Sequence, residues 1–230
     1  MIFIGFVLPL HQNQMEMTGV ITGDVIASSN IPPQQRKEML DALGKAACGL
    51  QGFSPRDFEI YRGDSFQFTV SYPAQTLRVA LLFRAGFKCQ TPEGSPALWD
   101  VRMAVGIGNV GFEAESAGYS NGEAFVLSGH ALDNMTKNRL VVETVWQEVN
   151  DEMQATIPLI DNIATNWTMA QAQVAYQMLI QDVTQQQVAG ILGKTTQGVN
   201  KLVMAAKVKL VGTYLKRFET LINNKLEEHS

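Results

Sequence analysis

Cysteine is scarce: Cys48 and Cys89 are the only two in 230 residues. That excludes a disulfide scaffold, and neither has metal-ligand neighbours at close spacing. Both read as core thiols in a reducing cytosol, which points to a cytoplasmic protein. Histidine is equally thin. Of its three copies, His11 and His229 lie in the tails and only His130 is central. The sequence therefore holds no zinc spacing and no Ser-His-Asp arrangement. No run reaches the roughly eighteen apolar residues that span a bilayer. No G-x-x-x-x-G-K-[ST] occurs, so a P-loop is excluded. Internal repeats and low-complexity tracts are missing as well.

What remains is an ordinary globular composition, 46% hydrophobic and 17% charged. The opening MIFIGFVLPL is apolar but lacks the basic start and small-residue cleavage site of a secretory signal. Residues 1–16 read as an extension outside the fold, with translation starting at Met15 or Met17. A short membrane-touching anchor is the rival. Charge is uneven. Val183 to Phe218 carries six bases (Lys194, Lys201, Lys207, Lys209, Lys216 and Arg217) and no acid, while the net charge of the whole chain is −4. Such a segment suits an anionic partner.

Along the chain, MTGVITGDVI (Met17 to Ile26) reads as a buried strand ending near Asp24. Pro32 and Pro33 open a helix whose apolar positions recur at three- and four-residue spacing. Two β-rich runs, Asp57 to Arg62 and Ser65 to Ser71, flank Gly63-Asp64 and predict a hairpin. The tetrapeptide Arg62-Gly63-Asp64-Ser65 also resembles an adhesion motif, which a cytosolic protein has no use for. A helix follows Pro73, and WDVRMAVGIGNV (Trp99 to Val110) reads as a central strand. Gly106, Gly108 and Gly111 form a weak cluster suited to bending or close packing. Ser120 and Glu123 have capping-box spacing before a helix over about 122–135. A strand over 138–143 and a polar helix to Ala155 complete the unit. The order β-α-β-β-α-β-α-β predicts an α+β domain over 17–155 with helices on one face of the sheet. Residues 156–167 read as a connector.

The sharper pattern lies in 168–222. Thr168 with Gln171, and Thr184 with Gln187, form two capping boxes. Val188, Ala189 and Leu192 face inward, Gly193 supplies a left-handed turn, and Thr195 or Thr196 caps the next helix with Val199 and Leu202 inward. That is a helix-turn-helix pattern. Lys194, Thr196, Gln197, Asn200, Lys201 and Lys207 become candidate DNA contacts. The amides suit adenine, Lys201 suits guanine or phosphate, and the flanking lysines suit phosphates. The apolar rhythm from Val199 to Ile222 predicts one long last helix, which would serve packing or pairing in a homodimer. A short tail, 223–230, follows. Two core helices without nucleic acid are the plainer alternative.

The run TQQQVAGILGKTTQGVNKL resembles the helix-turn-helix of many bacterial regulators. The strand ending in Thr22-Gly23-Asp24, the hairpin Gly63-Asp64, the strand VRMAVGIG and the run GYSNGEAFVLSGHAL resemble, in order and spacing, the palm of class III nucleotidyl cyclases and the related GGDEF domains. Palm plus helix-turn-helix resembles the SatD family, whose I-T-G-D start is similar to Ile21 to Ser28. The resemblance covers roughly 18–222. It implies a ferredoxin-like palm, a C-terminal all-α DNA-binding domain and a regulatory role. It also implies that Asp24 and Asp64, with the Val25 carbonyl, hold Mg2+ or Mn2+ beside a nucleotide, since hard cations take oxygen ligands.

Departures from the cyclase pattern weaken catalysis. The helix positions where those enzymes carry asparagine and arginine fall on Val126 and His130. Valine cannot orient a ribose, and histidine is a poor fixed cation. Ser65 stands where GGDEF enzymes have glutamate. The expectation is a DNA-binding regulator with a catalytically degenerate palm as sensor or dimerisation platform. A metal-dependent nucleotidyl cyclase using His130, and a protein-interaction module, are the alternatives.

Overall fold

The computed structural model describes residues 16–53, 55–61, 63–110 and 122–228. Arg62, Gly111, Ser120, His11 and His229 lie outside them, so the proposed Ser120 capping box does too. The order of elements is β1 (Glu16–Val25), α1 (Pro33–Cys48), β2 (Pro55–Tyr61), β3 (Ser65–Val70), α2 (Thr76–Cys89), β4 (Val101–Val110), α3 (Glu123–Asp133), β5 (Leu140–Thr144) and α4 (Gln147–Thr165). Four further helices follow: α5 (Met169–Ile180), α6 (Gln185–Leu192), α7 (Thr196–Ala205) and α8 (Val208–Glu228). The protein is thus α+β, with an all-α C-terminal part. No helix among the described residues is long and apolar enough to cross a membrane.

The five strands order as β2-β3-β1-β4-β5. All pairs are antiparallel except β4 with β5, which α3 joins as a crossover. Gly63, at φ 83, supplies the left-handed residue of the β2–β3 turn. Strand alternation gives two faces. Ile21, Phe66, Phe68, Met103, Val105, Leu140 and Val142 are buried in the core that α1, α2 and α4 also line. Phe66 and Phe83 centre it, with rings 4.7 Å apart. The opposite face carries Thr22, Asp24, Gln67 and Arg102. Here the expectation of helices on one side fails, because α3 covers part of this second face. The reason is Gly106: a Cβ there would fall 2.2 Å from the Ala124 carbonyl oxygen, so only glycine lets α3 lie this close to β4.

Under the core face sits a buried ionic cluster that sequence spacing does not reveal. Arg84 on α2 is fully buried. Its guanidinium donates to both Asp100 oxygens at 2.8 Å, to Asp161 at 2.7 Å and to Thr165 at 2.8 Å. Lys88 Nζ reaches Asp100 at 3.1 Å and Arg139 reaches it at 2.7 Å. The second Asp161 oxygen accepts from the Arg139 backbone N–H at 2.7 Å. Burial would raise the Asp100 carboxyl, but Arg84, Lys88 and Arg139 outweigh it and hold it down at about 2. Three cations face two carboxylates. Burial lowers the Lys88 pKa; Asp100 opposes this, and the charges of Arg84 and Arg139 add to it.

Several expectations are corrected. Residues 156–165 are not a connector but the second half of α4, with Ile157, Ile160, Asp161 and Ala164 buried. Asp161 is what fixes them there, through Arg84. The long last helix is two helices. Lys207 adopts φ 54 between α7 and α8. The Ala206 carbonyl accepts instead from the Trp167 indole N–H at 2.9 Å. That bond satisfies a group the break would otherwise leave unpaired. Residues 223–228 are no tail; Lys225 pairs with Glu148 at 2.7 Å. Cys48 is exposed rather than core, and burial pushes the Cys89 thiol up to about 12.

Because the cluster has one cation in excess, its members differ in weight. Arg84→Met should destabilise the protein by about 3–5 kcal/mol, since it removes the one cation bonded to both buried carboxylates. Lys88→Met should lie within about 1 kcal/mol of wild type or above it. Urea unfolding of both variants checks this, and equal large losses would contradict it. The folded Asp100 pKa lies below that of the unfolded chain. Its contribution, about 2–3 kcal/mol, is complete above pH ~4 and is lost as pH falls toward 2. Acid unfolding should therefore shift in Asp100→Asn.

Candidate functional site

The candidate residues of β1 and the β2–β3 turn converge at one end of the sheet. Register sets Asp24 opposite Ser65 on one side and Arg102 on the other. The Val25 N–H donates to the Asp64 carbonyl at 3.1 Å, which draws the hairpin turn against the end of β1. The Ile26 N–H donates to the Asp100 carbonyl at 2.9 Å, so the same end is anchored to the buried cluster. Asp24, Val25 and Asp64 are therefore neighbours, as expected.

Their side chains have other partners. Arg102 Nε donates to both Asp24 oxygens, at 2.8 and 3.0 Å, and Nη2 donates to Oδ2 at 2.8 Å. This fork raises the Arg102 pKa, first through the hydrogen bond to Asp24. Asp64 accepts from the Ser28 hydroxyl. Beneath them, Gln67 donates to Thr22, and Thr22 meets Ser128 of α3, both at 2.8 Å. The open part of this face is therefore polar and already hydrogen-bonded.

The fit to Mg2+ or Mn2+ is poor. Both Asp24 oxygens are taken by a guanidinium whose positive charge would oppose a divalent ion. No group of three His, Cys, Asp or Glu side chains that could hold a metal occurs among the described residues. Sequence reasoning did not find Arg102 and Ser28 as partners of the two carboxylates. Strand register was the only signal that could have paired Arg102 with Asp24.

His130 is not part of this constellation. It lines a groove of about 380 Å³ with Asn134, Val141 and Glu143, between α3 and β5. In the strand order β5 lies three steps from β3, which follows Asp64. That is roughly 14 Å at the usual strand spacing.

The second group of candidates lies on α6 and α7. The capping boxes of Thr168 with Gln171 and Thr184 with Gln187 are both formed. Gly193 ends α6 at φ 61, and Thr195 caps α7 by accepting from the Gly198 N–H at 3.1 Å. Val188, Ala189, Val199 and Val203 are buried between the helices. Thr196, Gln197, Asn200 and Lys201 are exposed together along α7. Asn200 donates to Gln185 at 3.0 Å, which orients its amide. Among the described residues, none of Lys194, Lys201, Lys207, Lys209 and Lys216 is in an ion pair. Arg217 and Lys225, by contrast, are paired with Glu152 and Glu148 of α4.

No protein-family model matches the chain, and no curated protein does either. Among solved structures the chain is similar to the guanylyl cyclase Cya2, at 13% identity over 60% of this chain and 77% of that one, with a TM-score of 0.42. A likeness at that level carries no weight on activity.

If Arg102 is what excludes a cation, removing it should admit one. Arg102→Ala should gain Mn2+ affinity at least about tenfold over wild type in a calorimetric titration, as the Asp24 carboxylate is freed. Equal affinities would show that Arg102 does not govern the site.

Proposed function

We propose that the chain is a DNA-binding regulator, in line with its SatD resemblance. In this reading α6 and α7 form a helix-turn-helix and the palm serves as a catalytically degenerate scaffold. One observation carries this. The exposed side of α7 presents a hydroxyl, two amides and a lysine, with lysines outside any ion pair before and after it. Arg217 and Lys225, further along α8, are instead engaged with acids. Such a surface offers base-edge contacts in the middle and phosphate contacts at its flanks. The left-handed Gly193 and the buried small Ala189 set the close helix crossing that a recognition helix needs to stand proud.

Two features support degeneracy of the palm. Asp24 is neutralised by Arg102 rather than left for a metal. His130, on α3, lines the groove toward β5 rather than the end of the sheet where Asp64 sits. A nucleoside triphosphate would meet no free carboxylate pair there, because Asp24 is already held by Arg102.

The test uses the full chain and a mixed-sequence duplex at low salt, read by fluorescence anisotropy. Lys201→Glu should weaken binding about ten- to a hundredfold without altering the far-ultraviolet spectrum. Lys207→Ala should weaken it modestly and lower the slope of log K against log salt by roughly 0.9, one phosphate contact. Unchanged binding in Lys201→Glu would remove α7 as the reading helix. No binding by wild type would remove the DNA reading itself.

A further inference from the structure

Between the two parts of the chain lies a cavity of about 210 Å³. At ~30 Å³ per molecule it has room for roughly seven waters, or for one small bicyclic ring. Lys45 and Ala46 of α1 and Gly86 and Cys89 of α2 form one side. Gln173, Tyr176 and Gln177 of α5 and Leu192 at the end of α6 form the other.

Tyr176 sets the shape. Its hydroxyl donates to the Gly49 carbonyl at 3.0 Å. A Cβ on Gly49 would fall 2.6 Å from that hydroxyl oxygen, and one on Gly86 would fall 3.3 Å from the ring. The two palm-side helices therefore lack side chains where the ring lies, and the ring is held as a wall. The glutamines round the cavity are in a different condition. Among the described residues, none of the side-chain amides of Gln90, Gln173 and Gln177 makes a hydrogen bond, and neither does the Cys89 thiol. Gln173 and Gln177 are half-buried. Partly buried amides elsewhere are paired, Gln67 with Thr22 and Asn150 with Thr144. Unpaired amides gathered round one space are completed by a hydrogen-bonding ligand.

The same walls set the charge of that ligand. Burial pushes the Cys89 thiol up to about 12 even with Lys88 beside it, and burial raises the Tyr176 phenol. Surroundings that disfavour two anions of their own disfavour an anionic guest. The C-terminal ends of α1 and α2 both lie here, and their dipoles add to that effect. Lys45 is exposed, so solvent weakens its pull on an anion, while its sign opposes a cation. A glutamine amide sets one donor beside one acceptor, which matches the amino and ring-nitrogen edge of a purine.

We propose that this cavity binds an uncharged purine base, hydrogen-bonded to Gln173 and Gln177 and lying against the Tyr176 ring. A bound base ties α5 and α6 to α1 and α2. The inference stands on the cavity alone and is independent of DNA binding.

Calorimetric titration of adenine into the full chain should give a dissociation constant of about 100 μM or below. Benzoate, a planar anion, should bind at least about tenfold more weakly. Gln173→Leu/Gln177→Leu should weaken adenine about tenfold or more with an unchanged far-ultraviolet spectrum. A further variant leaves the lining intact. In a Cys48→Ser background Cys89 is the only thiol. Adenine at about ten times its dissociation constant should slow alkylation of that thiol about tenfold. Absence of adenine binding overturns the proposal. So does benzoate binding as tight as adenine, full affinity in the double variant, or a Cys89 that adenine does not protect.

Discussion

The Arg84 guanidinium is the interaction on which the rest of the protein depends. It lies on α2 beneath the sheet and gathers groups from distant parts of the chain: Asp100 at the start of β4, and Asp161 and Thr165 near the end of α4. Through Asp100 it also meets Arg139 ahead of β5 and, by the Asp100 carbonyl, Ile26 just after β1. Ion pairs at a surface contribute little, because water competes and salt screens. Arg84, Asp100 and Asp161 are buried, so breaking one of these partners leaves charge in a low dielectric. Packing of apolar side chains can tolerate small slips; this cluster cannot. It fixes the angle of α4 on the sheet and the end of β1 where Asp24 and Asp64 sit.

The two parts of the chain are bolted together by ordinary contacts of mixed kind. Arg78 on α2 reaches Glu219 at 2.6 Å and the Leu179 carbonyl at 3.1 Å. The Tyr176 hydroxyl donates to the Gly49 carbonyl at 3.0 Å. Tyr214 meets Thr156 at 2.7 Å. Val211, Leu215, Phe218 and Ile222 of α8 belong to the same apolar core as the sheet. The turn at Lys207 lets α8 reverse onto α4 instead of projecting away, so α7 is carried on a fixed mount.

Much of this was readable in the sequence, for physical reasons. Turn and cap residues act locally, so Gly63, Gly193, Thr168, Thr184 and Thr195 announced their positions. The β2–β3 hairpin followed from Gly63-Asp64, and the neighbourhood of Asp24 and Asp64 was what the resemblance to cyclases implied. What stayed hidden was long-range. Arg84, Asp100 and Asp161 are separated by 16 and 61 positions, and nothing in their own neighbourhoods marks them as buried partners. Arg102 reads as a strand residue until register sets it beside Asp24. The break at Lys207 was invisible because a lysine in a helical rhythm carries no stop signal; its cause is an indole 40 residues earlier. The polar stretch around Asp161 looked like a linker for the same reason, since its charge is paired far away.

The placement of α8 bears on how the protein comes off the ribosome. Synthesis delivers the sheet and its helices before α8. Yet α8 covers apolar surface on α2, α4 and α5, and its residues Arg217, Glu219 and Lys225 pair with Glu152, Arg78 and Glu148. The sheet can assemble early, but its helical layer stays partly uncovered until α8 clears the exit tunnel. A nascent chain of this design exposes that apolar surface during the interval. A chain cut short before Val208 would lose Val211, Leu215, Phe218 and Ile222 and keep that hydrophobic seam open.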